Sequence, residues 1–170
     1  MPLRAIMRSR WQPERARHTH VAAAGTYDFG EVSEATHHSM QANKRTNTKP
    51  ELAVRRMLRE LGWPGYRLDW KKAKGHPDIA YPGRKIAIFV HGCFWHHHAG
   101  CKYATTPKKN ATYWQAKFER NQARDEETRA ALEAEGWKVV VIWECELKKD
   151  VIATTRQRLH DELSYAFMKL

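Results

Sequence analysis

Apolar and polar positions are spread unevenly along the chain. Residues 1 to about 46 hold Arg4, Arg8, Arg10, Arg15 and Arg17 but little periodic apolar content, so this stretch reads as a mobile basic arm. Periodicity begins at Thr48, which with Glu51 three residues on forms a capping box, with Pro50 tolerated in the first turn. Val54, Met57, Leu58 and Leu61 then fall at i, i+3, i+4 and i+7 and Gly62 supplies a stop, which predicts an amphipathic helix from about Lys49. A short extended piece is expected at Tyr66 to Trp70. Asp78 opens a strand that turns at Pro82 and Gly83 into a second, β-prone run from Lys85 to Val90. A helix is expected from about Thr112 to Glu135, ended by Gly136. A buried strand should follow from Trp137 to Trp143, with Val139, Val140, Val141 and Ile142 contiguous, then a helix capped by Asp150 and reaching about Phe167. Helix, hairpin, helix, strand, helix describes a small sheet flanked by helices, with Asp78 close to the end of the second strand.

The length of 170 residues fits one folded domain, and 42% hydrophobic residues suffice for a core. No apolar run of about 18 residues and no secretory signal pattern is present, so a cytoplasmic location without membrane contact is expected. Charge changes the picture more. Thirty Lys and Arg against 19 Asp and Glu leave a formal net charge of +11, which implies an anionic partner. With seven Trp in the chain, nucleic acid is the favoured one, because basic side chains neutralise phosphates and flat rings stack on bases.

Three places carry candidate chemistry. Asp78 at a strand start, beside the main-chain carbonyl of Val90, offers hard oxygen ligands suited to Mg²⁺. Cys93, Cys101 and Cys145 are the three cysteines, and His91, His96, His97 and His98 lie around the first two. Three thiolates and one imidazole from the run His96 to His98 make a closed tetrahedral set of the structural Zn²⁺ type, provided that Cys145 returns from the far strand. The histidines left over can move protons near neutral pH. Phe94 and Trp95 lie between the first cysteine and the histidine run, and Trp114 stands at the next helix start. They are either an intercalating wedge or core residues.

Several of these stretches together resemble the very short patch repair endonucleases, the Vsr branch of the PD-(D/E)xK nuclease superfamily. They are Phe89-Val90-His91-Gly92-Cys93-Phe94-Trp95-His96-His97-His98, Thr48-Lys49-Pro50-Glu51, Pro77-Asp78, Tyr113-Trp114, Asn121, Asp125 and Trp143-Glu144-Cys145. The resemblance spans about Ser39 to Leu147. It implies an α/β restriction-endonuclease-like fold, a mixed central sheet flanked by helices with a structural zinc site. Residues 39–170 would be the endonuclease domain and residues 1–38 the arm. The implied activity is Mg²⁺-dependent nicking of double-stranded DNA 5′ of the thymine in a T:G mismatch left by deamination of 5-methylcytosine.

Carried over by position, the resemblance makes Asp78 the Mg²⁺ ligand, assisted by the Val90 carbonyl, and His96 the proton-transfer residue, oriented by Asp125. Glu51 and His91 match further active-site positions. Cys93, His98, Cys101 and Cys145 match the zinc set. Phe94, Trp95 and Trp114 match the inserting aromatics, and Asn121 matches a DNA-contacting position. The second carboxylate and the lysine of the generic nuclease motif are missing, as in the family, and histidine chemistry takes their place. A monomer suffices for nicking one strand. The alternatives are a nuclease of the same fold with another DNA target, and a zinc-stabilised DNA-binding module without cleavage; Asp78, His96 and Asp125 argue against the second, since binding alone needs none of them.

Overall fold

The computed structural model describes residues 46–168. The proposed arm and the expected domain start at residue 39 lie outside them. Helix α1 is Lys49–Glu60, and it begins where its capping pair predicts: the Thr48 hydroxyl accepts the Glu51 N–H while the Glu51 carboxylate accepts the Thr48 N–H. Val54, Met57 and Leu58 are buried, and Gly62 follows with a φ of +80° that favours glycine.

The strands are β1, Arg67–Leu68, β2, Ile79–Tyr81, β3, Ile86–His91, and β4, Lys138–Trp143, hydrogen-bonded in that order. The first three run antiparallel and β4 runs parallel to β3. The expected hairpin turns through Pro82–Arg84, a single 3-10 turn, with Lys85 left-handed at φ +49°. Parallel β3 and β4 need a crossover, supplied by helix α2, Ala111–Ala134. Helix α3, Ile152–Met168, closes the described chain.

Most boundaries fall within a residue or two of expectation, and the shift at α3 has a visible cause. Asp150 does not cap α3: Val151 takes that place, its carbonyl accepting the Thr155 N–H at 3.1 Å. The reason is tertiary, because buried Thr155 also donates its hydroxyl to the Glu146 carbonyl at 2.8 Å and so ties the helix start to the turn after β4.

The sheet has two covered faces. Ile79, Tyr81, Ile86, Ile88, Val140 and Ile142 pack with Val54, Met57 and Leu58 of α1 and with Leu159 and Leu163 of α3. Ala87, on the other face, packs with Leu132 of α2 and Ala73, bordered by Trp70, Phe89, Trp137 and Val139. The contiguous valines of β4 therefore divide: Val140 and Ile142 are buried, Val139 and Val141 half-buried. Each fully buried Leu or Ile is worth about 1.5–3 kcal/mol, so most of the packing energy lies on the α1/α3 side, while α2 buries only Phe118, Thr128 and Leu132. Among the described residues no helix is long and apolar enough to cross a membrane.

The loop ahead of Asp78 is set by a close approach. Gly75, at φ +75°, passes α2 so tightly that a Cβ there would stand 2.2 Å from Thr128 Cγ2. Gly75→Ala is expected to lower stability by about 1–3 kcal/mol through overpacking and strain. Adding Thr128→Ser, which removes that methyl, should restore part of the loss in thermal unfolding.

Candidate active site and metal centre

Backbone pairing brings the first carboxylate to its place. The register Ile79 against Ile88 sets Asp78 beside the end of β3, where its Oδ2 accepts the Val90 N–H at 2.7 Å. The Asp69 N–H donates to the Asp78 carbonyl and the Trp70 N–H to that of Pro77, each at 3.2 Å, so the approach to β2 is fixed as well. Val90 thus meets Asp78 through its N–H, and both line an open cleft of about 1080 Å³.

His91 ends β3 and stacks face to face on His96, with centroids 3.8 Å apart and planes at 6°. The His96 Nδ1 stands 2.5 Å from Asp125 Oδ2, across 29 residues of sequence. A Nδ1–H donated to this carboxylate leaves Nε2 as the proton acceptor. Glu51, by contrast, is fully engaged: its carboxylate takes Asn47 N–H at 2.9 Å, the Thr48 hydroxyl at 2.8 Å and the Arg55 guanidinium at 2.8 Å. It lines the cleft with both carboxylate oxygens hydrogen-bonded. Arg55, buried beside it and also donating to Asn47 Oδ1 at 2.6 Å, was missed by sequence reasoning although its i, i+4 spacing from Glu51 is a readable signal.

The electrostatics follow from this burial. Asp78 is raised from 3.8 to about 6, chiefly by desolvation, with the Val90 N–H opposing and nearby Glu51 adding to the rise. Burial, and next the neighbouring His96, lower His91 to about 4, which keeps that ring neutral near pH 7.

A second cluster lies behind the first. Cys93, His98, Cys101 and Cys145 place one ligand atom each within 4.8 Å of one another, and the three cysteines form no disulfide. A tetrahedral ion with bonds of about 2.3 Å to sulfur and 2.0–2.1 Å to nitrogen has a sulfur–nitrogen edge of about 3.5 Å. The His98 Nδ1 lies 3.7 Å from Cys93 Sγ and 3.4 Å from Cys145 Sγ, which brackets that edge, so these residues fit a metal ion. His98 is held for this by stacking on Trp143 at 3.9 Å and 2°. Burial pushes the Cys93 thiol up to about 12, so a thiolate there needs a cation beside it. His97, the remaining member of the run, faces away and stacks on Phe118 at 4.6 Å.

Phe94, Trp95 and Trp114 form one half-buried group, neither core nor free. Phe94 packs edge-on against Trp95 at 5.0 Å, Trp114 at 5.2 Å and Phe118 at 5.4 Å, and the Lys117 ammonium lies 5.3–5.4 Å from the ring centroids of Trp114 and Trp95. Asn121 turns its amide to the Trp95 carbonyl at 2.8 Å, and Gln122 reaches the His97 carbonyl at 3.1 Å, so this part of α2 grips the loop from behind. Trp114, Phe118, Asn121, Asp125, Thr128 and Leu132 recur every three or four residues, and this single face of α2 carries rings, amide, carboxylate and core in succession.

An open cleft with a carboxylate facing a His–Asp pair, a clamped loop and stacking rings beside it is the equipment of a nuclease. Comparison with known proteins makes this specific. A family profile described as DNA mismatch endonuclease Vsr matches residues 32–102. The chain is 50% identical over 108 residues, 64% of this chain and 78% of the other, to the type II nicking enzyme V.XorIIP of Xanthomonas oryzae pv. oryzae. It is 38% identical over 143 residues, 81% and 84% of the two chains, to the type II nicking enzyme V.NaeI of Lentzea aerocolonigenes. It is 32% identical over 124 residues, 73% and 74%, to the DNA mismatch endonuclease Vsr of Escherichia coli. The chain belongs to the Vsr family and is a DNA endonuclease.

Two outcomes are expected. Cys145→Ser should lose bound metal in elemental analysis and melt earlier, whereas unchanged metal content and melting would show that the cluster holds no ion. For Asp78, whose value rises on folding, ionisation costs stability as pH climbs from about 4 through 6, on the order of 3 kcal/mol. Asp78→Asn should therefore raise the melting temperature of protein stripped of divalent ions at about pH 7, by several degrees, and the gain should vanish near pH 4.

Proposed function

We propose that this endonuclease nicks double-stranded DNA 5′ of the thymine in a T:G mismatch, with Mg²⁺ at Asp78 and structural Zn²⁺ on Cys93, His98, Cys101 and Cys145. The observation that carries the reading is the 2.5 Å His96–Asp125 pair, in the same cleft as Asp78. Mg²⁺ would supply positive charge to a phosphate oxygen as negative charge builds there. His96 Nε2 takes the proton of the attacking water, Asp125 holds the Nδ1–H and stabilises the imidazolium that forms, and neutral His91 fixes the ring plane by stacking. The Val90 carbonyl would be a second protein ligand beside Asp78, with water and phosphate oxygens supplying the rest.

The zinc assignment is supported by donor chemistry: three thiolates and an imidazole at tetrahedral spacing suit Zn²⁺, while Mg²⁺ prefers oxygen. Phe94, Trp95 and Trp114 would wedge into the stack at the mismatch, where a T:G wobble unstacks more cheaply than a matched pair, and Asn121 sets their loop. A single chain holds every group this chemistry uses, so it acts as a monomer. Residues 39–170 form the catalytic domain and 1–38 a basic arm. Relatives named type II nicking enzymes favour a second reading, the same chemistry at a different DNA target.

In a strand-labelled assay with Mg²⁺, one nick confined to the T strand of T:G duplexes is expected, with T:A duplexes uncut. His96→Ala should slow it by about 10²–10⁴-fold. Equal cutting of matched DNA would replace the mismatch reading by the second.

A further inference from the structure

Among its lining side chains the cleft has four carboxylates, Glu51, Asp78, Asp125 and Glu144, against two permanent cations, Lys49 and Arg124. Arg55 neutralises Glu51 from behind and exposed Lys148 reaches Glu144 at 3.9 Å, while Asp78 and Asp125 leave a wall that repels phosphate. A DNA strand has to be held there by something other than the metal alone. Lys49, exposed in the first turn of α1, and Arg124, on α2 beside Asp125, come from the helices that cover opposite faces of the sheet. They therefore flank the reacting groups from two sides. Arg124 makes a long ion pair with Asp125 Oδ1 at 3.9 Å and keeps 67% of its side chain exposed, which leaves its guanidinium fork available. Its charge is nonetheless felt at His91, so it stands close to the reacting centre.

We propose that Lys49 and Arg124 are phosphate anchors that grip the nicked strand on either side of the scissile bond, one from each wall of the cleft. The assignment rests on the DNA-nicking reading and concerns the strand's backbone, so it holds for a T:G or any other target. Arg124, nearer the His96–Asp125 pair, offers a planar two-donor contact that lysine cannot copy, whereas Lys49 acts as a point charge.

The test measures binding of a fluorescent duplex by the full, metal-loaded chain between about 50 and 200 mM salt. Each phosphate contact adds about 0.9 to the slope of log affinity against log salt. Lys49→Ala and Arg124→Ala should each lower the slope by about 1 and the double variant by about 2, with metal content and melting temperature unchanged. Replacing single phosphates by neutral methylphosphonates should weaken wild type at two positions, and each variant should be insensitive at one of them. Slopes equal to wild type, or variants that remain sensitive at every position, would overturn the anchors. A wild-type protein that binds no duplex would instead overturn the nuclease reading.

Discussion

The site depends first on how β3 pairs with its two neighbours. In the parallel ladder His91 stands opposite Trp143, so Cys93 and Cys145, each two residues further on, leave the sheet side by side. In the antiparallel ladder Ile79 stands opposite Ile88, which delivers Asp78 to the Val90 N–H. One strand thereby fixes the cysteine cluster and Asp78 relative to each other. A slip by one residue would reverse every side chain of β3, driving Ile86 and Ile88 into the tight space that Ala87 occupies under α2 and separating the cysteines, so the core itself enforces the register.

Helix α2 completes the site from the other side. Its mixed face buries little apolar surface and instead grips the loop through Asn121 and Gln122, supplies Asp125 to His96, and meets Gly75 at Thr128. The loop from Gly92 to Cys101 has no regular ladder of its own; it is held by turns, by these amides and by the cysteine–histidine cluster. The cleft is then free to contain groups that oppose folding. Asp78 is half-buried at a cost, His91 is kept neutral, and buried Glu51 is surrounded by Arg55, Asn47 and Thr48.

Local signals made much of this legible. The 3.6-residue period of α1, the Thr48–Glu51 box, Gly62 and Gly136 marked the elements because helix ends and faces are written in residues a few positions apart. The cysteines and histidines marked, by composition, a set that could hold a metal ion. The resemblance picked out Asp78, His96 and Asp125, which the fold brings into one cleft. The extent of α2 was read to within a residue at each end, but its inward stripe, polar in the middle and without an apolar period, was not. The start of α3 also escaped, because Thr155 is tied to Glu146 by tertiary contact.

Elements, chemical inventory and family were all legible in the chain, since each rests on near neighbours or on residue types alone. The parallel pairing of β4 with β3, the packing of His97 on Phe118 while His98, matched beforehand by resemblance alone, turns to the cysteines, and the locking of Glu51 became visible in the fold. These are choices between alternatives of equal local propensity. Strand register and packing across dozens of residues separate them, and neither is encoded at any single position.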